Sequence, residues 1–125
     1  MKFKDTKYGD LEGQIYNGDI NVSSQHLTSL EGSPRIVIGN FYCSRNNIES
    51  LKYGPEEIHG DFRCLSNKIT NLDYIPKVIK GYFNCVNNNI LRIDNINIEP
   101  RKFKSDFGNK ILLNYFIENR PDLLI

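Results

Sequence analysis

A 21-residue period constrains this chain more than any other feature of its sequence. Glycine opens four successive blocks, which run over residues 18–38, 39–59, 60–80 and 81–101. An apolar residue follows each glycine by two positions (Ile20, Phe41, Phe62, Phe83), and a small apolar residue follows it by four (Val22, Cys43, Cys64, Cys85). A period in the twenties that is carried by apolar residues at constant offsets is typical of a stacked solenoid.

The same offsets predict how one block is built. A block has about six apolar side chains and cannot bury them alone, so it must lie against a copy of itself. The alternation after each glycine predicts a short strand with Phe and Cys pointing inward, and the glycine permits the tight turn into that strand. An amide follows the strand, and we expect Asn46, Asn67 and Asn88 to bond backbone groups of their own and neighbouring coils. The remaining ten or so residues contain a proline, which favours an extended or 3-10 return segment over a long helix.

These residues resemble the leucine-rich repeat family. The family core of Leu, spacer, Leu, two spacers, Asn, spacer and Leu has its counterpart in Phe41, Cys43, Asn46 and Ile48, and it recurs over 62–69 and 83–90. Segments 30–34 and 39–44 are similar to the short repeats of bacteriophage and bacterial proteins. The resemblance implies an α/β solenoid, mostly β: a right-handed stack with a short parallel sheet, extended or 3-10 return segments and a C-terminal capping helix.

The length of 125 residues predicts a single domain. Residues 1–17 are interpreted as an N-terminal cap, built as a degenerate half-coil or a short hairpin, and residues 18–101 as four repeats. Residues 102–125 are interpreted as a helical cap, because Phe103, Phe107, Ile111 and Tyr115 recur every four residues and Pro121 ends the pattern. A helix over about 109–119 that docks on a partner is the alternative.

Charge and cysteine spacing argue against several functional classes. The formal net charge is +1, which gives no electrostatic case for nucleic acid or an anionic membrane. The first residues have no apolar signal segment and no apolar run is of membrane length, so we expect a cytoplasmic protein (host cytoplasm if phage-encoded). The three cysteines share one offset and lack metal-ligand spacing, so we expect buried free thiols, no metal and no cofactor.

Alternation also assigns an outward face to the predicted strands. Residues one, three and five positions after each glycine point away from the core. They include aromatic, guanidinium and aliphatic groups, which are enriched where proteins bind proteins, although a solvated sheet face is the alternative. The candidate partner-binding residues are Tyr42, Arg63, Leu65 and Tyr82, with Asn40, Asp61, Asn84 and Val86 around them.

The leading hypothesis is a non-enzymatic protein-binding module. The resemblance to phage-type repeats narrows it to a phage-encoded inhibitor of a host enzyme or defence protein; the partner's identity is open, and a homodimer is a further option. One alternative is a nucleic-acid-binding accessory protein that uses Arg45, Lys68, Lys102 and Lys104. Another is a structural or self-assembling protein. An enzyme is disfavoured, because Asp19 and Asp61 lie on an open face and the chain has no phosphate loop, nucleophile elbow or metal cluster.

Overall fold

The computed structural model describes residues 1–91, 114, 117–119 and 121 of the chain. Each glycine that opens a block lies between two short strands, so every coil bends at that glycine. We call these four residues the corner glycines: Gly18, Gly39, Gly60 and Gly81. The strands are β1 Ile15–Asn17, β2 Ile20–Asn21, β3 Ile36–Ile38, β4 Phe41–Tyr42, β5 Glu57–Ile58, β6 Phe62–Arg63, β7 Val78–Ile79 and β8 Phe83–Asn84. A single turn of 3-10 helix precedes them at Phe3–Asp5.

The strands form two parallel sheets that run along the solenoid. One sheet has the order β1-β3-β5-β7 and the other β2-β4-β6-β8. Strands pair with a constant offset of 21 residues, as in Phe41 opposite Phe62 and Phe62 opposite Phe83. The predicted parallel solenoid is therefore confirmed. The prediction had one sheet, formed by the strands that follow the glycines. It missed the β1-β3-β5-β7 sheet because the residues before each glycine share no simple pattern, as at the equivalent positions Ile36, Glu57 and Val78.

The interior is made of columns of equivalent residues. Phe41, Phe62 and Phe83 are at most 1% exposed, and their ring centroids lie 5.9 and 5.4 Å apart in succession. The cysteines directly after these strands are buried free thiols. The predicted inward columns of aromatic and small residues are confirmed, and they place the intervening strand residues on the outside.

Three equivalent asparagines, Asn46, Asn67 and Asn88, close the turns that follow β4, β6 and β8. The Asn67 side-chain Oδ1 accepts the Ile48 N–H at 3.1 Å, and its Nδ2 donates to the carbonyls of Cys43 and Cys64 at 3.0 and 3.1 Å. Asn46 and Asn88 make the equivalent bonds to their own and the preceding coil. The predicted bonding of the amides is confirmed.

The return segments are extended and interrupted by a β-turn. Backbone hydrogen bonds close this turn from Ser33 to Leu30 at 3.0 Å and from Gly54 to Leu51 at 3.0 Å. The third turn residue has a positive φ, which is ordinary for Gly32 at +99° but uncommon for the equivalent Tyr53 at +71°. Gly32 could not be replaced by a tyrosine, because a Cβ there would lie 2.9 Å from the Lys4 backbone nitrogen.

Residues 1–17 continue the stack as an incomplete coil. The Phe3 side chain is fully buried and its ring stacks on Phe41, with 6.1 Å between centroids. The Phe3 N–H donates to the Ser29 carbonyl at 3.1 Å, and β1 pairs in parallel with β3. Parallel pairing makes this segment part of a coil and excludes the hairpin alternative for β1.

A short helix lies near the C-terminus. Asn114 and residues 117–119 are helical and exposed, within the helix predicted over 109–119. The predicted capping contacts of residues 102–125 lie outside the described residues. In the part of the chain that the structure describes, we find no helix with the length and apolar character needed to cross a bilayer.

Candidate functional site

The candidate site is the outward side of the β2-β4-β6-β8 sheet, which we call the outer face. It consists of the residues one, three and five positions after each corner glycine. Because Phe41 and Cys43 point inward, Tyr42 between them points outward and is half-buried, as alternation requires. Tyr42 pairs in register with Arg63, whose side chain is 53% exposed. The sequence therefore placed this pair on one face.

The row nearest the glycines is a ladder of side chain to backbone hydrogen bonds. The Asp19 Oδ1 accepts the Asn40 N–H at 2.8 Å, the Asn40 Oδ1 accepts the Asp61 N–H at 2.7 Å, and the Asp61 Oδ1 accepts the Tyr82 N–H at 2.8 Å. Two of the predicted contact residues, Asn40 and Asp61, thus each hold the next coil through one oxygen. These two side chains therefore have a structural role in joining neighbouring coils.

Arg63 is held in place by its neighbours on the outer face. Its guanidinium carbon lies 5.0 Å from the Tyr42 ring centroid, within the range of a cation–π contact. Its Nη2 lies 4.0 Å from the Asp61 Oδ2, at the outer limit of an ion pair. An exposed ion pair of this kind contributes about 0–1 kcal/mol, so its effect is to orient the guanidinium group rather than to stabilise the fold.

An open depression of about 360 Å³ lies on the outer face between the first three coils. Three of the predicted contact residues line it: Tyr42, Arg63 and Leu65. Tyr82, Asn84 and Val86 lie on the fourth coil and do not line it. Asn84 has a local role, since its Oδ1 accepts the Val86 N–H at 3.1 Å.

The depression also contains residues that sequence analysis did not include in the contact set. Its remaining lining residues are Asn21, Ser23, Ser44 and Arg45. Arg45 follows the end of β4 and has φ +55°, and the equivalent residues of the other coils are Ser24, Ser66 and Asn87 with φ of 55° to 56°. The sequence singled out Arg45 only for the nucleic-acid alternative; a signal for including it in the contact set is that it is the one long cationic side chain among these four equivalent residues.

Two exposed surfaces elsewhere also escaped prediction. On the β1-β3-β5-β7 sheet, Ile15 is 56% exposed and Ile38 is 43% exposed, with the partly exposed Ile36 beside them. On the return segments, Tyr53 and Tyr74 are exposed next to shallow grooves. The first surface was missed together with its sheet. The tyrosines were missed because a positive φ at that position is not visible in the sequence.

The reactive side chains of the described residues include potential metal ligands and three cysteine thiols. Among them, no three or more His, Cys, Asp or Glu side chains are grouped closely enough to bind a metal ion. Burial raises the pKa of the Cys43, Cys64 and Cys85 thiols well above the usual value, which keeps them protonated. A buried protonated thiol is neither a nucleophile nor a metal ligand.

No protein-family model, curated protein or solved structure shows significant similarity to this chain. The fold by itself defines the class: a parallel β-solenoid with a period of 21 residues and two sheets.

Proposed function

We propose that the chain is a non-enzymatic protein-binding module of the leucine-rich repeat type, and that the outer face is its contact surface. The observation that carries the proposal is the Arg63 guanidinium stacked on Tyr42, next to Leu65 at the edge of an open depression. Aromatic and arginine side chains supply much of the binding energy in protein interfaces, with the arginine able to form several hydrogen bonds at once.

The solenoid makes this surface rigid before any partner arrives. Ladder hydrogen bonds and buried columns hold the backbone on both sides of each outward residue. A preordered surface loses little conformational entropy on binding, which favours affinity from a small contact area. The coils span only about 15–20 Å along the axis at sheet spacing, so we expect an interface at the small end of the specific range.

The narrower proposal is a phage product that occludes a host enzyme or a defence protein. It is supported by the resemblance of segments 30–34 and 39–44 to phage-type repeats. Its practical consequence is the choice of a bacterial lysate as the source of partners.

The test is affinity capture from such a lysate with three baits. The face variant is Arg63→Glu with Leu65→Asp. The matched control is Arg35→Glu with Tyr74→Asp, which makes the same kind of changes at exposed positions of the return segments. We expect wild type and control to retain a common partner and the face variant to lose it at least tenfold while unfolding at the same urea concentration. Equal capture of the partner by all three baits would exclude the outer face as the contact surface.

A second candidate function is self-association through the other sheet. Strand β1 is an edge strand, and its exposed Ile15 lies opposite Ile36 of β3, with the exposed Ile38 two residues further along β3. An exposed edge with apolar outward side chains is a template for pairing with another chain. Sedimentation velocity over a hundredfold concentration range would show a dimer that Ile15→Lys abolishes; a monomer at every concentration would exclude this candidate.

A further inference from the structure

We propose that the outer face binds an acidic segment of its partner, and that Arg45 and Arg63 together receive the carboxylates. This inference rests on the proposed function, because it names the chemistry of the partner at the same site. Arg45 belongs to the second coil and Arg63 to the third, and both side chains line the same depression.

The charge of the depression has one sign. Its two ionised lining residues are Arg45 and Arg63, and the others are neutral polar or apolar residues. The two aspartates of the outer face, Asp19 and Asp61, lie in the ladder row and do not line the depression. Cationic charge is therefore concentrated at the turn side of the face, although the whole chain is nearly neutral with a net charge of +1.

Both guanidinium groups keep hydrogen-bonding capacity for a ligand. Within residues 1–91, no carboxylate forms an ion pair with Arg45, and the one near Arg63 is Asp61 Oδ2 at 4.0 Å. A guanidinium group has five N–H donors arranged as a planar fork that matches a carboxylate. Two such forks on one rigid surface favour a ligand that carries two or more carboxylates.

A hydroxyl group completes the set of donors. The Ser23 Oγ accepts the Ser44 N–H at 3.2 Å, which leaves the Ser23 hydroxyl proton available to an acceptor. The stacking of Arg63 on the Tyr42 ring lowers the cost of ordering that side chain. The depression thus offers donors from several directions to an anionic group.

A protein segment fits these charges better than a nucleic acid. A phosphate would also suit the guanidinium groups, but a polynucleotide needs a continuous basic track for its phosphates. Here the ladder row next to the depression carries the carboxylates of Asp19 and Asp61. A short acidic peptide can reach Arg45 and Arg63 in the depression without following the ladder row, whose aspartates do not line it.

The test uses a ten-residue polyglutamate peptide as probe, with ¹⁵N-labelled full chain observed by NMR. We expect the peptide to shift the backbone amides of residues 42–45 and 63–65. Arg45→Gln with Arg63→Gln is expected to weaken the affinity at least tenfold. The matched control, Arg35→Gln with Lys77→Gln, removes two exposed positive charges from the return segments and is expected to bind as the wild type does.

Three results would overturn the proposal. The first is that polyglutamate shifts none of these amides, and the second is that Arg45→Gln with Arg63→Gln binds the peptide as tightly as the control variant does. The third is that a ten-nucleotide oligothymidine shifts the same amides and binds more tightly than polyglutamate. The last result would identify the depression as a nucleic-acid-binding site instead. The capture experiment separates this inference from the proposed function. If Arg63→Glu with Leu65→Asp loses the partner but Arg45→Gln with Arg63→Gln keeps it, the contact surface stands and the acidic partner does not.

Discussion

At the residue scale, glycine is required at the corners of the second, third and fourth coils by the space that the preceding coil leaves. A Cβ on Gly60 would lie 2.8 Å from the Gly39 carbonyl oxygen, and a Cβ on Gly81 would lie 2.7 Å from the Gly60 carbonyl. Neither Gly60 nor Gly81 has a positive φ, so the turn conformation alone does not demand glycine there. Close approach of one backbone to the next is the physical reason for the repeated glycine.

We therefore expect Gly60→Asn to lower the free energy of unfolding by about 3 kcal/mol, because the added side chain forces neighbouring coils apart. Gly13→Asn is the matched control. Gly13 has φ +77°, no heavy atom lies within 4 Å of the position that a Cβ would occupy there, and asparagine tolerates that conformation. Its cost should stay below about 0.5 kcal/mol. Urea unfolding followed by circular dichroism measures both, and equal losses would contradict the role of coil spacing.

At the scale of the element, the turns after β4, β6 and β8 each depend on one asparagine. The Asn67 amide bonds backbone groups of two coils and is itself 9% exposed. Without it, the Ile48 N–H would lose its acceptor inside the stack. A buried polar group without a partner costs about 1–3 kcal/mol, which is more than a satisfied hydrogen bond contributes.

The Asn67→Ala variant is expected to lower the free energy of unfolding by about 3 kcal/mol, since several backbone bonds are lost at once. Asn89→Ala, at an exposed asparagine of the fourth coil, is expected to change it by less than about 0.5 kcal/mol. Chemical denaturation gives both values. A loss below about 1 kcal/mol at Asn67 would mean that water replaces the amide without cost.

Across the whole molecule, three thiols are buried in one column and remain protonated. Burial raises the pKa of Cys43, Cys64 and Cys85 in the folded chain, whereas unfolding returns each thiol to a pKa of roughly 8.5. Below that value both states bind the same protons and the stability is fully present. Above it the unfolded state loses protons that the folded state keeps, so stability falls as the pH rises.

Between about pH 7.5 and 9.5 we expect a loss of about 4 kcal/mol, which is roughly 1.4 kcal/mol for each of the three thiols. Urea unfolding at the two pH values measures it. The triple variant Cys43→Ala, Cys64→Ala, Cys85→Ala is less stable at neutral pH but should show little further loss at the higher pH. An equal pH dependence of the variant and the wild type would show that other groups cause it.

The predicted and observed structures agree wherever a single coil contains the information. Phe62, Cys64 and Asn67 were placed correctly because their offsets recur and their alternation is local. Tyr42 and Arg63 were placed on one outward face by the same alternation. Arg45 was left out of the protein-binding site, because it lies six positions after its glycine, outside the outward positions one, three and five.

The sequence by itself determined the period, the inward columns and the parallel stacking, because each 21-residue block repeats the same short-range pattern. Tertiary structure alone decided the β1-β3-β5-β7 sheet, the ladder from Asp19 through Asn40 to Asp61, and the meeting of Arg45 with Arg63 in one depression. These features join residues of different coils. They depend on how closely the coils approach and on the direction of each side chain, and the sequence of a single block determines neither.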